Sequence, residues 1–298
     1  MVKKEKLKKI ILGTWPISGD YSKANDEESI KMLKYAYRSG ILEFDTAPNY
    51  GFGRSESLIG RSFKNFKNKP KINTKIGNNH YKKKSFNLSI IKKTFENSLK
   101  MLMISKVNIL YLHNPRNLKN QTKILNYLKS LKNKKKINNY GLSISKDYKY
   151  DSKFIEKFKI IQLDYNILYL KNYFYKYFKN KVIHARSPFA AGTIFLLNNK
   201  KKFSKNDFRK KWVTIKRKRI IMNQLETIKK KYKKDIYNLS LNFLFNDSFA
   251  NKIIFGVKNK SQLISLIKQT QKINRNYIDV KNYKKFYLSN NLFKEKGF

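Results

Sequence analysis

The sequence of 298 residues contains no cysteine. This absence excludes disulfide bonds, thiol nucleophiles, thiolate zinc sites and iron–sulfur clusters. No apolar run approaches the roughly 18 residues of a membrane-spanning helix, so we expect no membrane span. The basic start of the chain has only a few apolar residues before Gly13, which is too short a stretch for a signal peptide. These absences predict a cytoplasmic protein.

Acidic residues are scarce, since 19 Asp and Glu stand against 68 Lys and Arg and give a formal net charge of +49. The chain is nevertheless 41% hydrophobic, which is enough for a core and argues against a disordered polycation. Lysine, asparagine, isoleucine, tyrosine and phenylalanine are all abundant, and a bias toward A- and T-rich codons explains all five together. The lysines are spread along the chain and outnumber arginine, so we predict scattered charge without specific nucleic-acid binding.

Short apolar runs recur along the chain and alternate with segments of helical periodicity. The runs are mostly continuous, which is typical of strands buried on both faces in a parallel sheet. The predicted strands are residues 9–13, 41–45, 71–77, 107–113, 139–145, 160–165, 181–186 and 252–257. The predicted helices are residues 28–38, 55–66, 89–102, 122–135, 152–158, 172–178, 224–246 and 261–270, with an extra C-terminal helix at 280–288.

Eight strand–helix repeats predict an α/β fold of the (β/α)8 TIM-barrel type, which forms a single domain over residues 1–298. The alternative, a doubly wound sheet, favours a glycine-rich turn after the first strand, and residues 13–16 (GTWP) do not fit it. The stretch 193–221 interrupts the alternation, and we predict a long loop there after strand 7.

Four polar side chains fall at or just after the carboxyl ends of predicted strands. Asp45 ends the second strand, and Tyr50 lies in the loop that follows. Lys75 lies near the end of the third strand, and His113 ends the fourth. Active sites of such barrels lie at this rim, so we expect the four residues to lie close together.

The four side chains together favour proton transfer to a carbonyl oxygen. A tyrosine with an ordinary pKa of about 10 is a poor acid–base group at neutral pH. A lysine ammonium nearby stabilises the phenolate, an aspartate holds that lysine charged, and a neutral histidine orients the carbonyl. Each residue alone also has a structural explanation: His113 as a hydrogen-bonded structural histidine, and Asp45 with Lys75 as a buried ion pair. Their convergence on one rim favours an active site.

Seven segments in order carry a resemblance to a known family. They are FDTAPNYGFGRSESLIG (44–60), TKIG (74–77), LYLHNP (110–115), YGLSIS (140–145), QLDYNIL (162–168), RSPFAAG (186–192) and IIFGVKNKSQL (253–263). In these segments the sequence resembles the aldo-keto reductases. The resemblance implies a TIM barrel that uses NADPH, with NADH possible, to interconvert a carbonyl and an alcohol, and it implies no metal.

The resemblance also implies roles for particular residues. Tyr50 would donate the proton, Lys75 and Asp45 would tune it, and His113 would orient the substrate. The residues implied in cofactor binding are Gly13, Thr14, Trp15, Asp45, Ser143, Gln162, Arg186, Ser187, Gly192, Lys258, Ser261 and Gln262. Ser143 and Gln162 would hold the carboxamide, and Lys258 to Gln262 would contact the adenosine 2′-phosphate.

The sequence departs from the family at three places. Ile144 stands where the family often has asparagine, and Arg186 replaces the aromatic residue that usually stacks under the nicotinamide. Ser265 and Leu266 replace a Glu-Asn pair near the adenosine site. The 44–53 motif together with Arg186-Ser187 resembles the bacterial sugar-related branch of the family.

Three functions stay open at this point. The first is a reductase or dehydrogenase that acts on a small aldehyde, ketone or sugar. The second is a noncatalytic relative that binds cofactor as a sensor or subunit. The third, a polyanion-binding protein, rests only on the net charge and predicts basic residues clustered on one face. The sequence identifies neither the substrate nor the oligomeric state.

Overall fold

The computed structural model describes residues 2–20, 24–115, 118, 120–145, 151–174, 176–198, 213–290 and 292. Eight strands form a closed barrel in which each strand pairs in parallel with its neighbours in chain order. They are β1 (Ile10–Gly13), β2 (Glu43–Asp45), β3 (Lys71–Ile76), β4 (Val107–His113), β5 (Ile137–Ser143), β6 (Ile160–Asp164), β7 (Val182–Arg186) and β8 (Lys252–Gly256). The predicted (β/α)8 TIM barrel is confirmed.

Helices pack around this barrel. They are α1 (Val2–Lys8), α2 (Asp26–Arg38), α3 (Arg54–Phe63), α4 (Leu88–Leu102), α5 (Gln121–Asn133), α6 (Ser152–Glu156), α7 (Thr193–Asn198), α8 (Ile215–Tyr232), α9 (Ile236–Asn246), α10 (Lys260–Gln271) and α11 (Val280–Ser289). The predicted C-terminal helix is confirmed as α11, whereas α1 was not predicted. Several helices begin where side chains accept backbone N–H groups, as Asn25 does from Glu28 at the start of α2.

The predicted single helix at 224–246 is wrong, because the chain turns between α8 and α9. Lys233 adopts a left-handed φ of 49°, and the Asp235 side chain accepts a hydrogen bond from the Asn238 backbone N–H to begin α9. Apolar periodicity continues across this turn, and neither glycine nor proline marks it. The local signal for the break was therefore only the aspartate cap.

Two other predictions are corrected. The predicted loop at 193–221 begins with helix α7 and ends within α8, while its middle part, 199–212, lies outside the described residues. The predicted helix at 172–178 is a pair of short 3-10 helices, Lys171–Phe174 and Lys176–Phe178. Both errors concern segments of only a few turns, where periodicity carries little information.

The strands present different residues to the inside and the outside of the barrel. On β4, Tyr111 belongs to a small interior cluster with Ile160, whereas Leu110 and Leu112 belong to the large core under the helices. On β2, the Phe44 ring packs 5.2 Å from that of Phe63 on α3, between ring centroids. Since side chains alternate along a strand, Asp45 points into the barrel.

Exposed lysines lie on helices all around the barrel. Examples are Lys31 on α2, Lys92 on α4, Lys123 on α5, Lys229 on α8 and Lys268 on α10. This spread agrees with the prediction of scattered charge rather than one basic face. Within the described residues, no helix combines the length and the apolar character that a membrane span needs.

Candidate active site

Strand register brings the predicted polar residues to one end of the barrel. Gly13 on β1 lies beside Asp45 on β2, and Ser143 on β5 lies between His113 on β4 and Gln162 on β6. All of them lie at or near the carboxyl ends of their strands. Parallel pairing in chain order therefore collects residues that are far apart in the sequence.

Lys75 is the centre of this group. Its side chain is fully buried, and its Nζ donates to Asp45 Oδ2 at 2.7 Å, to the Thr46 carbonyl at 2.6 Å and to the Tyr50 hydroxyl at 3.3 Å. Burial alone would lower the pKa of Lys75, but the Asp45 carboxylate and the neighbouring Tyr50 raise that pKa above its ordinary value. Lys75 is therefore an ammonium that is held against the tyrosine oxygen.

Tyr50 is half-buried and lies between two other rings. Its ring stacks on Trp15 with centroids 5.6 Å apart and an interplanar angle of 16°, and it meets His113 edge-on at 6.4 Å. The Lys75 Nζ lies 4.9 Å from the Tyr50 ring centroid. The tyrosine is thus fixed by packing from several directions while part of it stays open to solvent.

His113 is buried and carries an unused hydrogen-bonding atom. Among the described residues, no partner lies within hydrogen-bonding distance of its Nδ1. Burial lowers the pKa of His113 well below its usual range, and the positive charges of Lys75, Arg186 and Lys84 lower it further. His113 is therefore neutral at physiological pH, which is the state predicted for a group that orients a carbonyl oxygen.

Gln162 and Ser143 extend the hydrogen bonding from the other oxygen of Asp45. The Gln162 Nε2 donates to Asp45 Oδ1 at 2.7 Å, and the Ser143 hydroxyl donates to Gln162 Oε1 at 2.7 Å. One continuous chain of hydrogen bonds thus runs from Ser143 to Tyr50. The two residues lie at the site, where they orient the aspartate.

The three predicted residues of the first loop have different surroundings. A Cβ on Gly13 would lie 3.0 Å from the Ile254 side chain, so β1 and β8 approach closely there. The buried Thr14 hydroxyl donates to the Asp45 carbonyl at 3.0 Å and lies 2.6 Å from the Ser55 hydroxyl oxygen. Of the three, Trp15 is the one whose side chain contacts Tyr50.

Arg186 and Ser187 share a partner, Asp164, that was not predicted from the sequence. Arg186 donates to both carboxylate oxygens of Asp164, at 3.2 and 3.1 Å, and also to the Ile144 carbonyl at 2.9 Å. The Ser187 hydroxyl donates to Asp164 Oδ1 at 2.7 Å. Asp164 lies beside Arg186 in the β6–β7 register, so strand pairing was the signal that could have identified it. Gly192 follows at the end of a short turn, with a left-handed φ of 78°.

Lys258, Ser261 and Gln262 lie apart from this group, at the exposed start of α10. The Asn259 side chain accepts from the Ser261 hydroxyl at 2.8 Å and from the Gln262 backbone N–H at 3.0 Å. The Gln262 side chain accepts from the Lys258 backbone N–H at 2.9 Å. The turn therefore presents a capped helix N-terminus together with lysine side chains.

A second buried polar group contains Glu56, whose partners were not predicted. Glu56 is fully buried, accepts from the Thr74 hydroxyl at 2.6 Å and lies 2.9 Å from His80 Nε2. Glu56 belongs to the 44–60 motif, but its spacing gave no indication of these partners. In the part of the chain that the structure describes, no three histidines or carboxylates are grouped to hold a metal ion.

The sequence profile of the aldo/keto reductase family matches residues 9–276, which is most of the chain. The chain belongs to the aldo-keto reductase family. This family consists of oxidoreductases, and the membership agrees with the barrel and with the resemblance in the sequence motifs.

Individual relatives match shorter parts of the chain. Aldo-keto reductase YhdN of Bacillus subtilis is 34% identical over 113 residues, which cover 36% of this chain and 34% of that protein. Pyridoxal 4-dehydrogenase of Microbacterium luteolum is 38% identical over 66 residues, or 22% of this chain and 19% of that protein. L-galactose dehydrogenase of Arabidopsis thaliana is 28% identical over 113 residues, again 36% and 34% of the two chains. These alignments span about a third or less of the relatives.

Two solved structures share the fold over nearly the whole chain. A glycerol dehydrogenase from Gluconobacter oxydans is similar with a TM-score of 0.72 and 20% identity, over 94% of this chain and 90% of that one. An aldo-keto reductase from Bacillus halodurans has the same TM-score with 15% identity, over 93% and 91% of the two chains. At these identities the likeness supports the fold alone.

Proposed function

We propose that this protein is an NAD(P)H-dependent oxidoreductase that interconverts a carbonyl compound and an alcohol, with Tyr50 as the proton donor. The observation that carries the proposal is the buried Lys75 ammonium, held by Asp45 and 3.3 Å from the Tyr50 hydroxyl. A half-buried tyrosine in contact with such a lysine can act as an acid that is held in position and that a small substrate can reach.

The chain's own residues supply the proton for reduction. The Tyr50 hydroxyl gives its proton to the carbonyl oxygen, and the Lys75 ammonium stabilises the phenolate that remains. Neutral His113 donates a hydrogen bond to the same oxygen and fixes its direction. In the direction of oxidation, the phenolate takes the proton back from the alcohol. Asp45 keeps the lysine charged and oriented throughout.

When bound, a nicotinamide cofactor would supply the hydride chemistry of this interconversion. The donor set fits such a cofactor at both ends. The exposed first turn of α10, with Lys258 beside it, suits a phosphate group, because helix N-termini and lysines both favour anions. At the other end, Gln162 uses one amide hydrogen on Asp45 and retains a second for a carboxamide. We propose NADPH as the preferred cofactor, because Lys258 and the positive net charge favour the additional phosphate.

The substrate class proposed is a small aldehyde, ketone or sugar. Two of the curated relatives named above are dehydrogenases of pyridoxal and of L-galactose, and both compounds carry a carbonyl or hydroxyl group. The 44–53 motif and the Arg186-Ser187 pair resemble the bacterial sugar-related branch of the family, which supports a sugar or polyol as the substrate. The single-domain organisation over residues 1–298 and the cytoplasmic location stay predictions.

The test is a panel of sugars, polyols and simple aldehydes, with NADPH and NADH absorbance as the readout. We expect turnover of at least one member, faster with NADPH than with NADH. Cofactor binding, measured separately by fluorescence quenching or calorimetry, separates this proposal from that of a noncatalytic relative. Binding without any turnover favours a sensor or subunit, and binding of neither dinucleotide contradicts both.

A further inference from the structure

Asp20 lies behind the proposed acid and contacts three loops of the catalytic rim. Its Oδ2 accepts from the Trp15 indole N–H at 3.0 Å and from the Gly51 backbone N–H at 3.1 Å. Its Oδ1 accepts from the Lys82 ammonium at 2.6 Å. These donors belong to the loops that follow β1, β2 and β3. One carboxylate therefore joins the three loops.

The contacts of Asp20 reach both members of the Trp15–Tyr50 stack. Trp15 is held directly through its indole nitrogen, and Tyr50 is held through the backbone of the next residue, Gly51. Gly51 has a left-handed φ of 58°, and a Cβ there would lie 2.2 Å from the Ser18 carbonyl oxygen. The first two loops are thus in backbone contact at this point, and the carboxylate connects them.

The carboxylate is mostly shielded from solvent, since its side chain is 18% exposed. Burial alone would raise the pKa of Asp20, but the hydrogen bonds from Lys82, Gly51 and Trp15 lower it below its ordinary value. Asp20 is therefore ionised at neutral pH, and its two N–H donors bond to a charged acceptor. Such bonds are stronger than those to a neutral acceptor.

Lys82 is the outermost of the three partners. Its side chain is 40% exposed, and its Nζ lies 4.5 Å from the centroid of the Phe52 ring. Exposed ion pairs contribute little because water and salt screen them. The two N–H donors should therefore position the loops, and Lys82 should add only a minor part.

We propose that Asp20 is a positioning residue that sets the stacked pair Trp15 and Tyr50 against Lys75. This inference rests on the proposed function, because its effect on turnover requires Tyr50 to donate the proton. Displacing an acid by about 1 Å costs on the order of 100-fold in rate. Loss of the hydrogen bonds to Asp20 should therefore lower kcat although no reacting group is removed. Asp20 itself touches none of the reacting atoms.

The test uses the fluorescence of Trp15 as a readout that is independent of activity. The chain has two tryptophans, so replacing the second, Trp212→Phe, leaves Trp15 as the only reporter. Acrylamide quenching, kcat and KM are measured in this background for Asp20→Ala, Asp20→Asn and Lys82→Gln. Thermal unfolding of each variant confirms that it is folded.

We expect Asp20→Ala to raise the quenching constant of Trp15 at least about twofold and to lower kcat by roughly 10- to 100-fold. Asp20→Asn keeps an amide oxygen that accepts from both N–H groups, so it should restore most of the quenching protection and most of kcat. Lys82→Gln should change both quantities by less than about twofold, because the ion pair is exposed.

Two results would overturn the proposal. The first is Asp20→Ala with unchanged quenching and unchanged kcat. The second is a loss of kcat with unchanged quenching that Asp20→Asn does not restore.

If Asp20→Ala does not fold, Trp15→Phe with intact Asp20 replaces it. This variant keeps a ring stacked on Tyr50 but loses the N–H that donates to Asp20. An unchanged kcat in Trp15→Phe overturns the proposed positioning role of Asp20. Normal turnover by Tyr50→Phe contradicts the proposed function instead, while the quenching data still report on Asp20.

Discussion

The barrel contains two clusters of aspartate, lysine and tyrosine that differ in position and surroundings. The first consists of Asp45, Lys75 and Tyr50 and lies at the end of the barrel that is proposed as the active site. The second consists of Asp247 after α9, Lys284 on α11 and Tyr165 after β6. Here the Lys284 Nζ lies 2.8 Å from Asp247 Oδ1, and the Tyr165 hydroxyl donates to Asp247 Oδ2. The second cluster connects the C-terminal helix to the body of the barrel.

The tyrosines show the difference most clearly. Tyr50 is half-buried, and its hydroxyl contacts the ammonium of Lys75. Tyr165 is fully buried and donates to a carboxylate; burial, followed by the charge of Asp247, raises the pKa of Tyr165 well above its ordinary value. The first phenol is partly open to solvent and contacts a cation, whereas the second is enclosed and does not ionise readily. Under the proposed function, the same residue types thus give an acid in one cluster and a structural anchor in the other, according to exposure and to the partner of the hydroxyl.

The largest expected effect is the loss of turnover in Tyr50→Phe. The substitution removes the hydroxyl and keeps the ring on Trp15, so folding and cofactor binding should survive. General acid catalysis contributes typically about 10²–10⁴-fold, and we expect kcat to fall by at least that order. The measurement is NADPH oxidation with the best substrate of the panel, together with cofactor binding by fluorescence quenching.

Tyr165→Phe is the matched control for this prediction. It removes a hydroxyl from the second cluster, so kcat should stay within about twofold while stability falls by about 1.5–3 kcal/mol, the value of a hydrogen bond to a charged group. Urea unfolding gives the stability change. A near-normal kcat in Tyr50→Phe would contradict the assignment of Tyr50 as the acid. Loss of turnover in a folded Tyr165→Phe would contradict the assignment of the second cluster as purely structural.

The next expected effect is on stability, and it tests the buried lysine–aspartate ion pair that both clusters contain. Lys284→Met removes the ammonium that contacts the buried Asp247 carboxylate, and breaking a buried ion pair in this way costs about 3–5 kcal/mol. Lys75→Met should cost a similar amount for the same reason and should also abolish turnover. Only the first variant should stay active below its unfolding transition. Chemical unfolding and kcat, measured on both variants, check this contrast.

Replacing both members of a pair provides the control. Lys284→Met combined with Asp247→Asn removes both charges of this ion pair and keeps an amide oxygen that can accept from the Tyr165 hydroxyl. Lys9, the neighbouring cation, keeps its hydrogen bonds to backbone carbonyls, so the double variant should be more stable than Lys284→Met alone. A double variant that is less stable than the single one would show that the ion pair is not the source of the stabilisation.

The sequence predicted the first cluster and not the second, and there is a physical reason for this. Asp45 and Lys75 fall at or near strand ends, and Tyr50 lies in the loop after β2. A barrel brings strand ends together, so this rim could be inferred from the eight apolar runs. Asp247 and Lys284 lie in helices and connections whose relative placement no periodicity specifies. Their pairing depends on how α11 packs, which is a tertiary property.

The same limit applies to contacts within the rim. Asp164 and Asp20 were missed because short polar residues in loops and at strand ends have no pattern of their own. Asp164 is apparent once the β6–β7 register is known. Asp20 requires the three-dimensional course of three loops. Strand and helix order was therefore predictable, whereas the turn between α8 and α9 and the partners of loop residues were not.

The smallest effect concerns a buried titratable group that has no ion pair like those of the two clusters. His184 lies in the barrel interior, where its Nδ1 is 2.7 Å from the Tyr111 hydroxyl. Burial lowers the pKa of His184 to about 4; the charge of Glu43 opposes this shift, and that of Lys252 adds to it. In contrast to Lys75, this histidine is buried in its neutral form.

The pKa of His184 is about 6.5 in the unfolded chain and about 4 in the folded barrel. Between these two pH values the unfolded chain binds more protons, so the free energy of unfolding falls as the pH decreases through this range. At pH 5 this one group should cost about 2 kcal/mol relative to pH 7, at about 1.4 kcal/mol per pH unit below 6.5. His184→Asn keeps an acceptor for Tyr111 and cannot titrate, so its loss of stability from pH 7 to pH 5 in urea unfolding should be smaller by about that amount. The buried His113, whose pKa is also lowered, keeps part of the acid sensitivity in both proteins. An unchanged pH dependence in His184→Asn would mean that the histidine is charged in the folded barrel. Burial alone would then not be enough to keep the His184 imidazole neutral.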